Sequence, residues 1–253
     1  MERMYMKIQS ISSLQNPLIK HLINLRNDRE YRYSQKSIII EGIKPVIEVA
    51  GFIKKLICIE STAHIDIEVP EKWIVTDAIM KKISGMTSPE GVLAEVQMPT
   101  LSALKGVKSV VALDGINDPG NLGTLIRTAL ALGWEGIFIL PNSCDPFNEK
   151  AIRAARGAHF RIPIALGKAE ELKTLIEKNK LEPFVADLQG TYPEDLEKSS
   201  GRLLVLGNEA HGASEEVKRL CSKVTIPMPG EMESLNVAVA GGILMYLLSA
   251  RNK

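Results

Sequence analysis

This 253-residue chain is poor in the residues that hold metals or form disulfides. Its three cysteines, Cys58, Cys144 and Cys221, lie far apart, and no two stand at metal-ligand spacing. That spacing argues against a disulfide framework and a zinc motif, and reads as three reduced thiols in a cytoplasmic protein. The four histidines, His21, His64, His159 and His211, are scattered and suggest no metal site. No sign of charge dominates: 31 Lys and Arg face 30 Asp and Glu, for a net charge of +1. The chain is therefore not a basic nucleic-acid coat, and any RNA affinity must come from local patches. Long hydrophobic runs are missing as well. The longest apolar helix candidate, residues 235–250, is too short to cross a bilayer and contains Asn236. No leader is expected, since Glu2, Arg3 and Lys7 flank no apolar run. Neither Gly-x-Gly-x-x-Gly nor Gly-Lys-Ser/Thr occurs, which removes the ordinary dinucleotide fingerprint and counts against an NTPase.

What is present is ordinary for a folded protein: 45% hydrophobic and 24% charged residues. The length fits one large domain or two small ones. Residues 1–98 read as a small α/β unit. Ser12 or Ser13 is expected to cap a helix running to about Arg29, with Leu18, Leu22 and Leu25 on one stripe. Short strands are expected at 37–41, 56–60, 73–75 and 91–98, with helices at 43–50 and from Thr76 or Asp77 to about Ser84. Residues 99–106 read as a linker. Residues 107–253 alternate strand and helix, which predicts a mostly parallel sheet covered by helices on both faces. The expected strands are 109–113, 136–140, 161–165, 183–186, 203–206 and 224–226. The expected helices are 122–132, 149–155, 168–180, 214–221 and 235–251.

Three segments carry the chemistry. The first is Leu113-Asp-Gly-Ile-Asn-Asp-Pro-Gly-Asn-Leu-Gly-Thr-Leu-Ile-Arg-Thr-Ala129. The second is Leu204-Val-Leu-Gly-Asn-Glu-Ala-His-Gly212, and the third is Ile226-Pro-Met-Pro-Gly-Glu-Met-Glu-Ser-Leu-Asn-Val-Ala-Val-Ala240. Each is an apolar strand that breaks into a Gly/Asn/Pro loop, and the first and third loops open helices. Ligands of open α/β sheets sit where strands end and such loops begin, so three of them suggest one composite site. Gly120-Asn121-Leu122-Gly123 is placed to hold an anion on helix amides; the plain alternative is a tight strand-to-helix turn. Arg127 is expected near the start of that helix, where the dipole disfavours a cation, and so suggests an anionic partner. Glu209 on its own reads as a surface carboxylate. Ser234 reads as the cap of the last helix, while Asn236 is a polar residue in a helix otherwise apolar. Gly241 and Gly242 point to close packing of that helix.

In order and in polar residues, these segments closely resemble the three motifs of the SpoU/TrmH family, RNA ribose 2′-O-methyltransferases of the SPOUT superfamily. The resemblance is strong over residues 108–253 and looser over 1–98. It implies a SPOUT-type fold with a C-terminal trefoil knot, which nothing in the residue pattern itself shows. It implies a homodimer in which the last helix joins the interface. It assigns Arg127 to catalysis, with Asn121, Glu209, Ser234 and Asn236 lining the pocket. Whether Arg127 acts as general base or as an orienting donor to the developing alkoxide stays open, although a guanidinium is a poor base. The implied cofactor is S-adenosyl-L-methionine, held mainly by backbone at Ala186, Gly207, Ile226 and Leu235, with no metal. Asn16-Pro17, Lys20 and Ile40-Glu41-Gly42 resemble an L30e-like accessory domain that binds RNA.

Two basic groups are the RNA-contact candidates. Residues 1–55 hold ten Lys and Arg against five Asp and Glu, and include Lys20 and Arg26. The second group surrounds Arg153 and Arg156, whose spacing would place them on one helical face. Ala155-Arg156 stands where the family often has serine, leaving a hydroxyl contact there in doubt. The expectation is a cytoplasmic, adenosylmethionine-dependent RNA 2′-O-methyltransferase with no membrane association, with ribosomal RNA favoured over tRNA. The rivals are a tRNA enzyme and a non-catalytic RNA-binding or ribosome-assembly protein of the same fold.

Overall fold

The computed structural model describes residues 7–197, 199–231 and 234–249. The chain divides into two compact units, one of Met1–Pro99 with Phe147–Arg153, the other of Thr100–Pro146 with Ala154–Lys253.

The first unit runs β1 (Lys7–Ile11), α1 (Pro17–Asn27), α2 (Arg29–Gln35), β2 (Ser37–Glu41), α3 (Ile43–Glu48), β3 (Ile53–Cys58), β4 (Glu71–Val75), α4 (Asp77–Ile83) and β5 (Val92–Gln97). Its sheet has the order β1-β4-β3-β5-β2. β1, β4 and β3 are parallel, and β5 is antiparallel to both its neighbours. Strand β1 was not expected from the sequence. The expected first helix starts later and splits. Asn16, rather than Ser12 or Ser13, caps α1 by accepting from the Leu18 amide at 2.9 Å, and Pro17 opens the helix. Asp28 then takes an extended conformation and caps α2 through Tyr31. The core on this side joins Ile19, Leu22 and Leu25 of α1 to Ile39, Ile57 and Leu93 of the sheet.

Of the charged side chains buried in this unit, Arg32, Glu41, Lys72 and Glu95, the last is the most enclosed. Glu95 is 3% exposed, lies 2.8 Å from Lys55 Nζ and faces His21 Nε2 at 3.3 Å. The other ring nitrogen of His21 meets the Tyr31 hydroxyl at 2.8 Å. Burial pushes the Glu95 carboxyl up, but His21 and Lys55 outweigh it and hold it at about 2. Folding thus favours the ionised form. The stability it provides is complete above pH 4.5, the ordinary value, and disappears as the pH falls towards 2. Glu95→Gln should lower stability at neutral pH and remove this part of the acid sensitivity. Acid titrations of both proteins by circular dichroism test this, and superimposable curves would refute it.

The second unit holds β6 (Ser109–Asp114), α5 (Pro119–Ala131), β7 (Gly136–Ile139), β8 (Ile164–Leu166), α7 (Ala169–Asn179), β9 (Glu182–Thr191), β10 (Arg202–Gly207), α8 (Glu215–Lys218), β11 (Ser222–Val224) and α9 (Val237–Leu247). Helix α6 (Glu149–Ala155) lies between β7 and β8, and most of it groups with the first unit. The sheet order is β11-β9-β10-β6-β7-β8, and every pairing is parallel. β8 begins at Ile164, later than the sequence suggests, because a short 3₁₀ turn occupies 158–160. β10 is buried along its whole length and is almost continuously apolar, as the middle of a covered parallel sheet requires. From β6 the chain builds outward through β7 and β8, then crosses to the other side for β9 and inserts β10 beside β6. The direction of winding reverses between β6 and β10. At that point Gly207 pairs with Asp114, so the loops leaving both strands emerge side by side.

Helix α9 packs on α5 and β10. A Cβ at Gly241 would lie 2.5 Å from Leu125 Cδ2 and 2.6 Å from Leu206 Cδ1, whereas one at Gly242 would meet only Thr128 Cγ2, at 3.7 Å. The two glycines expected to mark close packing therefore differ, and only Gly241 does so here. Buried Trp134 and Arg202 donate to the last turn, Trp134 Nε1 to Met245 O at 3.2 Å and Arg202 Nη1 to Leu248 O at 3.3 Å. The expected end of this helix, Arg251, lies outside the described residues. Gly241→Ala should destabilise the protein by about 1–3 kcal/mol through overpacking. Gly242→Ala should be neutral, or stabilising by up to about 1 kcal/mol, through helix propensity. Urea denaturation of both variants separates these outcomes; equal midpoints would contradict the packing argument.

Candidate active site

Asp118 Oδ1 accepts from the Asn121 amide at 2.7 Å, so a carboxylate of the chain itself caps α5. Pro119 at the first position has no N–H to offer. Residues 120–123 thus form the first helical turn, and the expected anion cradle on them is not available. Arg127 is also displaced from expectation. With α5 starting at Pro119, it lies in the third turn, closer to Ala131 than to the start, and the dipole argument for an anionic partner no longer applies. Its side chain is exposed and makes no hydrogen bond or ion pair among the described residues.

The Asn121 side chain joins three distant segments. Its Nδ2 donates to Glu209 Oε1 at 2.8 Å, and its Oδ1 accepts from Asn236 Nδ2 at 3.1 Å. Asn236 Oδ1 in turn accepts the amides of Ala238 at 2.9 Å and Val239 at 3.3 Å. Asn236, not Ser234, is therefore the cap of α9, and it is exposed rather than inside the helix. The bonds run in one direction, from the first amides of α9 through Asn236 and Asn121 to the Glu209 carboxylate. Glu209 Oε2 receives no hydrogen bond among the described residues.

The loop that carries Glu209 is fixed by Asn208, a residue the motif contains but whose role the sequence did not reveal. Asn208 and Gly212 exchange backbone bonds of 3.0 and 2.9 Å. The Asn208 side chain accepts from Ala210 N at 2.9 Å and donates to Gly115 O at 3.0 Å, tying this loop to the one after β6. Asp114 adds a second tie by accepting from Ser214 N at 2.7 Å. A Cβ at Gly207 would lie 2.0 Å from Ala213 N, so no side chain fits there. The close approach at Gly207 is thus to the chain's own backbone at Gly212 and Ala213.

A cavity of about 460 Å³ opens beside this cluster. Ala186, Gly207, Ile226 and Leu235 all line it, together with Glu209 and Ser234. Leu206, Val237 and Leu244 give it apolar walls, and Asp187 and Lys218 add charge. Asn121, Arg127 and Asn236 are outside its lining, and the first and last are linked to it through Glu209. Burial pushes the Asp187 carboxyl up, but the Gln189 amide and Lys223 Nζ, 3.1 Å away, outweigh it and hold it below the ordinary range. Burial, then Asp145, Asp118 and Glu209, push the Cys144 thiol up to about 11, and burial pushes Cys221 up to about 12. Neither thiol is a ready nucleophile near neutral pH. Among the described residues no group of His, Cys, Asp or Glu is arranged to hold a metal ion, and no helix is long and apolar enough to cross a membrane.

The RNA-contact candidates fare unequally. Lys20 is exposed on α1. Arg26 is turned inward: its Nη1 donates to Lys82 O and Ile83 O, both at 3.2 Å, and to Ser84 O, closing the C-terminal end of α4. Arg153 is half-buried and pairs with Glu149 at 3.6 Å. Arg156 is exposed, but it lies past the end of α6 with a φ of 45°, so helical spacing does not place it on the face of Arg153.

A parallel α/β unit with a cavity at the carboxyl ends of β9 and β10, bordered by an amide–carboxylate chain, is a layout that suits a transferase holding a small cofactor beside a larger substrate. The model of the SpoU rRNA Methylase family matches residues 108–246, more than half of the chain, and the protein belongs to that family. The chain is 28% identical to the 23S rRNA (guanosine(2553)-2'-O)-methyltransferase RlmP of Bacillus subtilis (strain 168), over 95% of this chain and 99% of that protein. It is 27% identical to the 23S rRNA (adenosine(1067)-2'-O)-methyltransferase of Streptomyces azureus, over 97% of each. Among solved structures it resembles the AdoMet-bound rRNA methyltransferase from Sinorhizobium meliloti, with a TM-score of 0.84 and 29% identity over 95% of this chain and 97% of that one.

Asn236→Asp separates the two jobs of Asn236. An aspartate can still accept the Ala238 and Val239 amides, but it cannot donate to Asn121. The variant should melt like the wild type, while turnover falls on the order of a hundredfold through lost orientation. A methyl-transfer assay beside a thermal melt tests this; unchanged turnover would remove the bond from the mechanism.

Proposed function

We propose that this protein transfers the methyl group of S-adenosyl-L-methionine to a ribose 2′-hydroxyl of ribosomal RNA. The observation that carries this reading is the bonded chain Asn236–Asn121–Glu209 at the edge of the cavity. The cavity suits the cofactor: its volume falls in the range of small-molecule sites. Gly207 lines it beside the loop of residues 208–212, and the apolar walls suit a purine. Ribosomal RNA is favoured over tRNA because relatives matched along nearly their whole length are named for 23S rRNA.

The bound cofactor supplies an electrophilic methyl group. The protein must position the hydroxyl and manage its proton. Glu209, held through Oε1, keeps Oε2 for a hydrogen bond from the substrate. Arg127 extends from the same helix as Asn121 and serves as an orienting donor to the developing alkoxide, since a guanidinium holds its protons too firmly to act as a base. Ser234 lines the cavity and can bond either ligand. Ala186, Gly207, Ile226 and Leu235 hold the cofactor, and no metal takes part.

The remaining parts of the reading concern partners and place. Val239, Ile243 and Tyr246 follow one face of α9 and are 52%, 37% and 56% exposed. Such a stripe calls for a cover, and a second copy of this chain is the proposed one, giving a homodimer. Residues 1–98 serve as an L30e-like RNA-binding domain, with Lys20 as a contact and Arg156 as a second, in the other unit. The C-terminal segment forms the trefoil knot of the superfamily, and the enzyme works in the cytoplasm. Arg127→Ala should abolish methyl transfer and leave S-adenosylhomocysteine affinity within about twofold, because its loss affects only the transition state. Arg127→Lys should fail too, since a point charge does not replace the planar fork. The reading is tested by mapping ribose methylation across the stable RNA of a host lacking the protein. A complete rRNA methylation pattern there, or near-normal turnover by Arg127→Ala, would overturn it.

A further inference from the structure

Lys218 is the only lysine or arginine among the described residues lining the cavity. It ends α8, and its side chain is 25% exposed, so it forms part of the wall rather than projecting freely. Its Nζ lies 2.9 Å from Glu215 Oε1. A Cβ at Gly212 would lie 3.8 Å from its Cε and 3.9 Å from its Nζ, so the ammonium runs beside the loop of residues 208–212. Glu209 belongs to that same loop, whose ends are bonded to each other through Asn208 and Gly212. One short loop therefore presents a catalytic carboxylate on one flank and a cation on the other. Asp187, also in the lining, attracts Lys218 and is neutralised in part by Lys223 at 3.1 Å.

A ligand whose reactive methyl must reach the Glu209 cluster is constrained in where its other charges fall. In adenosylmethionine a propyl-length tether links the sulfonium to the amino-acid carboxylate. That carboxylate must stay close to the reacting centre. A carboxylate removed from water needs a cation or several donors. We propose that Lys218 is the residue that binds the cofactor's α-carboxylate, and so selects ligands with an amino-acid tail over plain adenosines. This rests on the cofactor reading of the cavity given above.

The test is calorimetric and needs no turnover. The full-length protein is titrated with S-adenosylhomocysteine, which has the tail, and with 5′-methylthioadenosine, which lacks it. Lys218→Met keeps the aliphatic stem and removes the charge. It should weaken S-adenosylhomocysteine about tenfold, the effect expected of one charged hydrogen bond. It should leave methylthioadenosine unchanged. Lys218→Arg should keep most of the preference for the tailed ligand. Equal weakening of both ligands by Lys218→Met would mean that the residue only shapes the loop, and no weakening of the tailed one would mean that it makes no contact; either result overturns the proposal. If the wild type binds neither ligand, the cofactor reading fails first and this inference falls with it.

Discussion

The side chain of Asn121 is held from both sides by groups that lie far along the chain, 88 residues away at Glu209 and 115 at Asn236. A primary amide has one acceptor and one donor end, and here each is used once, so its orientation is fixed. Nothing local to α5 could set that orientation. It depends on the loop after β10 and the start of α9 arriving at the same place. The sheet order makes this possible, because inserting β10 beside β6 brings Gly207 next to Asp114. Asn208 then bonds Gly115, and Asp114 bonds Ser214, so the two loops are stitched together beneath the cluster. Each such bond contributes only about 1 kcal/mol to stability. Their larger effect is to remove alternatives for the three side chains bonded above them.

Helix α9 is fixed at both ends. Asn236 caps its first turn and enters the cluster, while Trp134 and Arg202 bond the carbonyls of its last turn. Between them, Gly241 lets the helix rest on Leu125 and Leu206. A helix held at three points cannot slide along its axis. Ser234 and Leu235, which precede it, therefore keep their place on the cavity wall. The packing that stabilises the second unit and the geometry of its site are the same contacts seen from two directions.

The three loops were legible because their residues are unusual for where they stand: glycine where backbone must touch backbone, asparagine and glutamate where a strand should simply turn. The loop pattern suggested one composite site, and the family resemblance named Asn121, Glu209 and Asn236 in it along with four residues that line the cavity. It went astray where a short-range rule had two candidates. Both Ser234 and Asn236 can cap a helix, and the tertiary bond to Asn121 favours the second. Asp118-Pro119 is itself a strong start signal, yet the apolar run from Leu122 masked it, and the argument about Arg127 inherited the error. Arg26 was unreadable for a different reason. The carbonyls it bonds lie 56 to 58 residues away, and a sequence rule for basic patches has no term for them.

The local field adds a last constraint on Arg127. Cys144 reports that field, since Asp145, Asp118 and Glu209 all add to burial in raising its thiol. Acids that oppose a thiolate also oppose an alkoxide, which is the charge that must develop on a ribose hydroxyl during methyl transfer. On the proposed chemistry the surroundings of Glu209 are therefore unfavourable to the reaction unless a cation stands beside the reacting oxygen. Asn121 and Asn236 cannot supply one, because a primary amide is neutral. Lys218 is directed to the cavity and pairs with Glu215. On the same proposal Arg127, on the helix of Asn121 and without an ion pair among the described residues, is the cation that offsets those acids. Its missing ion pair, more than its position along the helix dipole, is the feature that suits it to an anionic substrate.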